Sequence, residues 1–116
     1  MKRILVLVVL LASCQFAVAD FSSGFAAYYR GDYKTALVEF KALAEQGHVY
    51  AQFNLGVMYD NGQGVPQDDA EAVKWYRLAA DQGNATAQNN LGGMYRRGEG
   101  VPQDDAEAVK WYRLAA

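Results

Sequence analysis

Val65–Ala80 reads VPQDDAEAVKWYRLAA, and Val101–Ala116 reads VPQDDAEAVKWYRLAA again. Sixteen identical residues at an offset of 36 mean that the chain was built by copying a unit of that length. A period of about 20 to 50 residues is the mark of a repeat architecture, in which each unit buries its apolar face against its neighbours. The copy extends upstream. Ala44–Gly64 (AEQGHVYAQFNLGVMYDNGQG) aligns with Ala80–Gly100 (ADQGNATAQNNLGGMYRRGEG), which matches Leu55, Gly56, Tyr59 and Gly64 with Leu91, Gly92, Tyr95 and Gly100. A more diverged unit, Phe21–Gly47, precedes these and lacks the GQGVPQ connector.

Each unit reads as two helices. In the first, Val49–Asp60, the apolar residues Ala51, Leu55 and Met58 recur at helical spacing, and Gly62 and Gly64 end the run. Val65-Pro66 then forces extended backbone. The second helix opens with Asp68 as N-cap and Glu71 three residues on, an acidic capping box, and Gly83 closes it. Gly56 and Gly92 fall inside first helices, where glycine costs about 1 kcal/mol relative to alanine, so a helix crossing at short range is expected there. Trp75 and Trp111 stand at equivalent places in both copies, which predicts packing between stacked helices with part of each indole at the surface. The identity of the second helices is equally compatible with a recent duplication.

The chain of 116 residues is 52% hydrophobic and 21% charged, which suits a small folded domain rather than disorder. Residues 1–19 read as an export signal. Lys2 and Arg3 lead, Ile4–Ala12 is apolar but too short to span a bilayer, and Ala17-Val18-Ala19 offers small residues for cleavage before Asp20. A second reading stands beside it: Leu11-Ala12-Ser13-Cys14 is like a lipobox, in which Cys14 is lipidated and anchors the chain to a membrane. The apolar residues that follow Cys14, and helices beginning almost at once, favour the plain signal. Its removal takes two of the eleven basic residues and leaves nine against thirteen acidic, a net charge of -4, which argues against a nucleic-acid partner despite Arg96-Arg97. The division is then 1–19 signal, 20–47 first helix pair, and 48–83 and 84–116 as the two full repeats, the last without a cap.

The pattern AxAQxxLGxMYxxGxGVPQDxxEAVxWYRxAA, with its 36-residue period, resembles the Sel-one-like repeat, which is related to the tetratricopeptide. The first unit is closer to a tetratricopeptide, with Gly24, Tyr28, Gly31, Asp32, Tyr33 and Ala36 in a GxxxYxxGDYxxA pattern. The resemblance implies an all-α fold, a right-handed α/α superhelix (solenoid) of about three antiparallel helix pairs. It also implies a non-catalytic scaffold or adaptor for protein complexes, with secreted bacterial relatives acting in envelope assembly, host interaction and signalling. Because no capping helix follows Ala116, Trp111, Leu114 and Ala115 are expected on an open face that mediates self-association or, in a longer repeat protein, meets a further helix.

The two full repeats can be compared with each other. Tyr50 against Thr86, Phe53 against Asn89, Val57 against Gly93, Asp60 against Arg96 and Asn61 against Arg97 differ at spacings of three and four, which is one face of the first helix. In a stacked array the first helices line the concave surface, so this face is the candidate groove for a protein partner. It runs from aromatic and acidic (Tyr50, Phe53, Asp60) to polar and basic (Asn89, Asn90, Arg96, Arg97). The alternative is that these are solvent-exposed positions under no constraint.

Chemistry has little to work with. His48 is the only histidine, in the loop between units, and Asn84 replaces it in the next copy, which argues against a side-chain metal site. Ser22 and Ser23 lie in no GxSxG or SxxK context, and Asp68-Asp69 and Asp104-Asp105 read as helix starts. Cysteine-rich relatives have been linked to β-lactam binding or hydrolysis, but they rest on a disulfide framework, and this chain has one cysteine. No catalytic residue and no cofactor is expected.

Overall fold

The computed structural model describes residues 20–116, so the signal and lipobox readings lie outside the described residues. Six helices follow one another: α1 Phe21–Tyr29, α2 Tyr33–Glu45, α3 Val49–Asn61, α4 Asp69–Asp81, α5 Ala85–Arg97 and α6 Asp105–Ala115. They form three antiparallel pairs stacked in sequence, an all-α superhelix without strands among the described residues. The punctuation is local and repeats. Asp68 and Asp104 accept from the backbone N–H of Glu71 and Glu107, both at 3.1 Å. The capping box is one-sided, because the Glu71 and Glu107 carboxylates turn to Lys74 and Lys110 instead. His48 and Asn84 cap α3 and α5 by accepting from Ala51 and Ala87 at 3.2 and 2.8 Å. His48 is therefore part of a helix start rather than a free loop residue.

The helix-interior glycines have a physical reason. A Cβ on Gly56 would stand 2.6 Å from the Tyr76 ring, and one on Gly92 would stand 2.9 Å from the Tyr112 ring. Gly24 does the same against Phe40, at 3.0 Å. In each unit a ring of the second helix therefore packs directly against the backbone of the first. Gly100 is constrained twice, by φ of +71° and by the Asp69 carbonyl oxygen 2.4 Å from where its Cβ would be. The connector thus rests on the start of α4, as the Gly64 connector rests on Tyr33 at the start of α2.

Two apolar clusters make the core, and each joins two units. Trp75 of α4 reaches back into the cluster of Phe40, Leu55 and Met58, and Trp111 of α6 reaches back into that of Tyr76, Leu91 and Met94. Both tryptophans are only 6% exposed, so the indole is more completely covered than expected. Their Nε1–H groups find no acceptor. An orphan N–H costs about 1–3 kcal/mol, whereas burying an indole removes about 150–250 Å² from water, which at about 25 cal/mol per Å² stabilises by about 4–6 kcal/mol. Packing wins.

The position of Trp75 is held in α2 by Glu39, which instead accepts from the backbone N–H of Asp20 at 2.9 Å. Gln52 and Gln88, both buried, donate to the carbonyls of Ala44 and Ala80 at 3.2 and 3.1 Å and so satisfy the ends of α2 and α4. The expectation of Trp111 on an open face is corrected here, since it faces the preceding unit. The exposed residues of α6 are Val109, Tyr112 and Leu114, at 45, 36 and 57%, while Ala115 is half-buried. Their twins Val73 and Tyr76 on α4 are 5 and 1% exposed, because α5 lies over them.

Candidate functional site

The first helices α1, α3 and α5 lie side by side, and the positions that differ between repeats fall along them. At one end is a cleft of about 450 Å³ between α1 and α3, lined by Phe21, Phe25 and Tyr29 from α1 and Tyr50, Phe53 and Asn54 from α3. Its aromatic rings make a connected set. Phe21 lies 5.6 Å from Phe25 and 5.0 Å from the His48 ring, Phe25 meets Tyr29 edge-on at 4.7 Å, and Phe21 reaches Tyr50 at 6.3 Å. Three of its rings are exposed: Phe25 at 37%, Tyr50 at 57% and Tyr29 at 72%. Burying them again would return apolar area to a dry environment, and exposed patches of this kind mark interaction sites.

Farther along α3 comes a polar centre. Tyr76 Oη donates to Asp60 Oδ2 at 3.2 Å. Burial, then the neighbouring Asp60 carboxylate, push the Tyr76 hydroxyl far above the usual phenol range, with Asn90 beside it acting in the opposite sense. Asp60 is half-buried, and among the described residues no lysine or arginine pairs with it. On α5, Arg97 is held by Glu99, Nε to Oε1 at 3.0 Å, and folds back over Gly93, whose absent Cβ leaves room for the guanidinium. Arg96, exposed, pairs with no carboxylate among the described residues.

The structure therefore sorts the sequence candidates. Tyr50, Asn61, Asn89, Arg96 and Arg97 are exposed, and Asp60 and Asn90 are half-buried beside the Tyr76 hydroxyl. Phe53 and Val57 are not free of packing duty: both are half-buried against the second core cluster, and Phe53 lies 6.0 Å from the Tyr76 ring. The reason is that the α3 face turns toward α4 at those two positions. Sequence comparison missed Phe21, Phe25 and Tyr29, because α1 belongs to the diverged unit. Their spacing of four residues in FSSGFAAYY was the available signal. Among the described residues no group of three His, Asp, Glu or Cys could hold a metal ion.

Comparison with known proteins places this geometry. The family model described as the Sel1 repeat matches residues 49–84 and 85–116, the pairs α3–α4 and α5–α6. A curated relative, the exopolysaccharide production negative regulator of Rhizobium leguminosarum bv. viciae, is 43% identical over 56 residues, 48% of this chain and 21% of its own length. The chain thus spans about a fifth of that relative. A protective antigen of uropathogenic Escherichia coli strains, described as displaying an SLR fold, superposes with a TM-score of 0.75 at 49% identity over 79% of this chain and 21% of its own. A Sel1 repeat protein from Oxalobacter formigenes superposes at 0.79 with 38% identity over 83% and 40%. With both matched spans coinciding with stacked helix pairs, the chain belongs to the Sel1 repeat family.

Proposed function

We propose that the chain is a non-catalytic scaffold of the bacterial envelope or exterior, which seats a protein partner on the row of first helices. The observation that carries this reading is the aromatic cleft, where Phe25, Tyr29 and Tyr50 remain exposed along the row of first helices. Against catalysis stand the roles already taken: His48 caps α3, and Asp68 and Asp104 cap α4 and α6. The regulatory role in the name of the rhizobial relative is not carried over, since the match is confined to about a fifth of that protein. The test is photo-crosslinking in the native host with the reactive residue at Tyr50 or Asn89, compared with Lys41 or Lys74 on second helices. Adducts confined to the first pair of positions support the reading, and adducts only at the second pair refute it.

Export rests on Lys2, Arg3, the apolar run and Ala17-Val18-Ala19. One feature of the fold favours cleavage before Asp20: Asp20 caps α1, accepting from Ser22 N–H at 2.9 Å, so the cut leaves the whole array intact. Intact mass spectrometry of the mature chain decides between a start at Asp20 and an acylated start at Cys14. The exposed Val109, Tyr112 and Leu114 of α6 support a further reading, self-association through that face. A monomer by light scattering at millimolar concentration would exclude it.

A further inference from the structure

The groove carries an order of chemistry, and that order describes its occupant. The first element is the aromatic cleft between α1 and α3. The second is the Asp60 carboxylate, half withdrawn from water, bonded to one neutral hydroxyl and in no ion pair among the described residues; the Arg97 guanidinium acts on it only at longer range, being paired with Glu99. A partly desolvated carboxylate gains most from a cation brought to it. The third is Arg96, which occupies the place of Asp60 one repeat on and is left unpaired, whereas Arg97 is held by Glu99. The charges therefore alternate along the row as apolar, negative, positive.

Geometry sets the spacing. Phe53 and Asp60 are seven residues apart on one helix, about 10 Å at about 1.5 Å per residue. Asp60 and Arg96 sit at equivalent places on successive first helices, one repeat apart. An extended strand advances about 3.3 Å per residue and turns alternate side chains to opposite faces, so about two to four residues span the first step, an even number keeping both side chains on the groove. We infer that the groove binds an extended peptide segment of another protein. The segment carries an aromatic or bulky aliphatic anchor, a lysine or arginine about two to four residues away on the same side, and an aspartate or glutamate farther along in the same direction. The anchor fills the cleft, the cation meets Asp60 and the anion meets Arg96. This assignment rests on the groove reading above and gives it a ligand class.

The test is selection of a random dodecapeptide display library on the full chain. Fluorescence anisotropy then follows with the enriched peptides against wild type, Tyr29→Ala, Tyr50→Ala, Asp60→Asn and Arg96→Glu, each checked for unchanged helicity and melting. Asp60→Asn keeps the acceptor for Tyr76 and removes only the charge. The expected result is enrichment of the apolar, basic, acidic order in either chain direction. Each of the four substitutions should weaken binding by about tenfold, the size of one partly screened contact. Peptides that need Tyr29 and Tyr50 but ignore Asp60→Asn and Arg96→Glu would overturn this assignment and leave the groove reading standing. Peptides indifferent to all four variants would overturn both. Absence of any enrichment would overturn the assignment alone, the crosslinking experiment then deciding the groove.

Discussion

Gly56→Ala and Gly92→Ala are the same substitution in two copies of one repeat, and the structure predicts different outcomes. In an open helix either change would stabilise by about 1 kcal/mol, because alanine is the better helix former. At Gly56 the new Cβ meets the Tyr76 ring at 2.6 Å, about 0.8 Å inside an ordinary contact of 3.4 Å. Tyr76 cannot retreat: it is 1% exposed, covered by α5, and its hydroxyl is tied to Asp60. Overpacking of a closed core costs about 1–3 kcal/mol, so after the helix gain the net loss is up to about 2 kcal/mol, about 1 kcal/mol at mid-range. At Gly92 the ring is Tyr112, met at 2.9 Å, and it is 36% exposed with no helix over it among the described residues. It can swing outward, and the net change lies between about zero and a gain of 1 kcal/mol. Thermal melts followed by circular dichroism should separate the two variants by roughly 10 °C, taking about 4–8 °C per kcal/mol for a domain of this size. Equal melting temperatures, or a Gly56→Ala protein more stable than wild type, would refute the claim that Tyr76 lies immovably on the α3 backbone.

Three further outcomes follow from the same geometry. Tyr76→Phe removes a hydrogen bond to a half-buried carboxylate and should cost about 1.5–3 kcal/mol in urea unfolding, against near zero for Tyr112→Phe. Because the Tyr76 hydroxyl titrates higher in the folded chain, the stability it confers is intact below the ordinary phenol value of 10.0 and declines as pH rises beyond it. Tyr76→Phe should accordingly flatten the alkaline limb of a stability-against-pH curve. His48→Asn copies the cap of α5 and should lose only the ring contact with Phe21, so in the same melts it should be more stable than His48→Ala by about 1 kcal/mol, the worth of the cap. Trp111→Ala should destabilise by about 3–5 kcal/mol although it lies on the last described helix, since its indole belongs to the core of the preceding unit, and a loss below 1 kcal/mol in denaturant titration would contradict that placement.

The period made the helices, their caps and their stacking legible, because each is written in residues close in sequence: Asp68 before Glu71, Gly62 after Asn61, Pro66 in the connector. Direction was not legible. Trp111 carries the same neighbours as any residue on an amphipathic helix, and only the fold decides that its indole points back to Leu91 rather than onward. The groove was half legible for a related reason. Comparing copies finds positions that vary, but Phe53 and Val57 vary while packing on Tyr76, since a groove wall has two sides and one faces the core. The α1 rings were invisible to that comparison because their unit has diverged. They emerge only when α1 is laid beside α3 and the FxxxF spacing meets Tyr50 across the cleft.

The contact between Glu39 and Asp20 ties the fold to the proposed maturation. Where α4 and α6 carry tryptophans that reach back to a preceding unit, α2 carries a carboxylate, and its Oε2 lies 2.9 Å from the Asp20 nitrogen. In the full chain that nitrogen is a peptide N–H. Cleavage before Asp20 would convert it to an ammonium, so the same 2.9 Å contact would become an ion pair formed only after export. The pair is partly exposed, and its coupling should therefore be small, about 0.5–1 kcal/mol. A cycle isolates it. The chain beginning at Asp20 is compared with its N-acetylated form, which loses the charge, in wild-type and Glu39→Gln backgrounds. Acetylation alters the interaction with the α1 dipole equally in both, so that contribution cancels and only the contact with Glu39 remains. Acetylation should shift stability in the two backgrounds by amounts that differ by that coupling, with the wild type losing more and the difference shrinking in high salt. Identical shifts would mean that Glu39 does not distinguish a free terminus from a peptide bond, and the fold would then give cleavage before Asp20 no support beyond the helix cap.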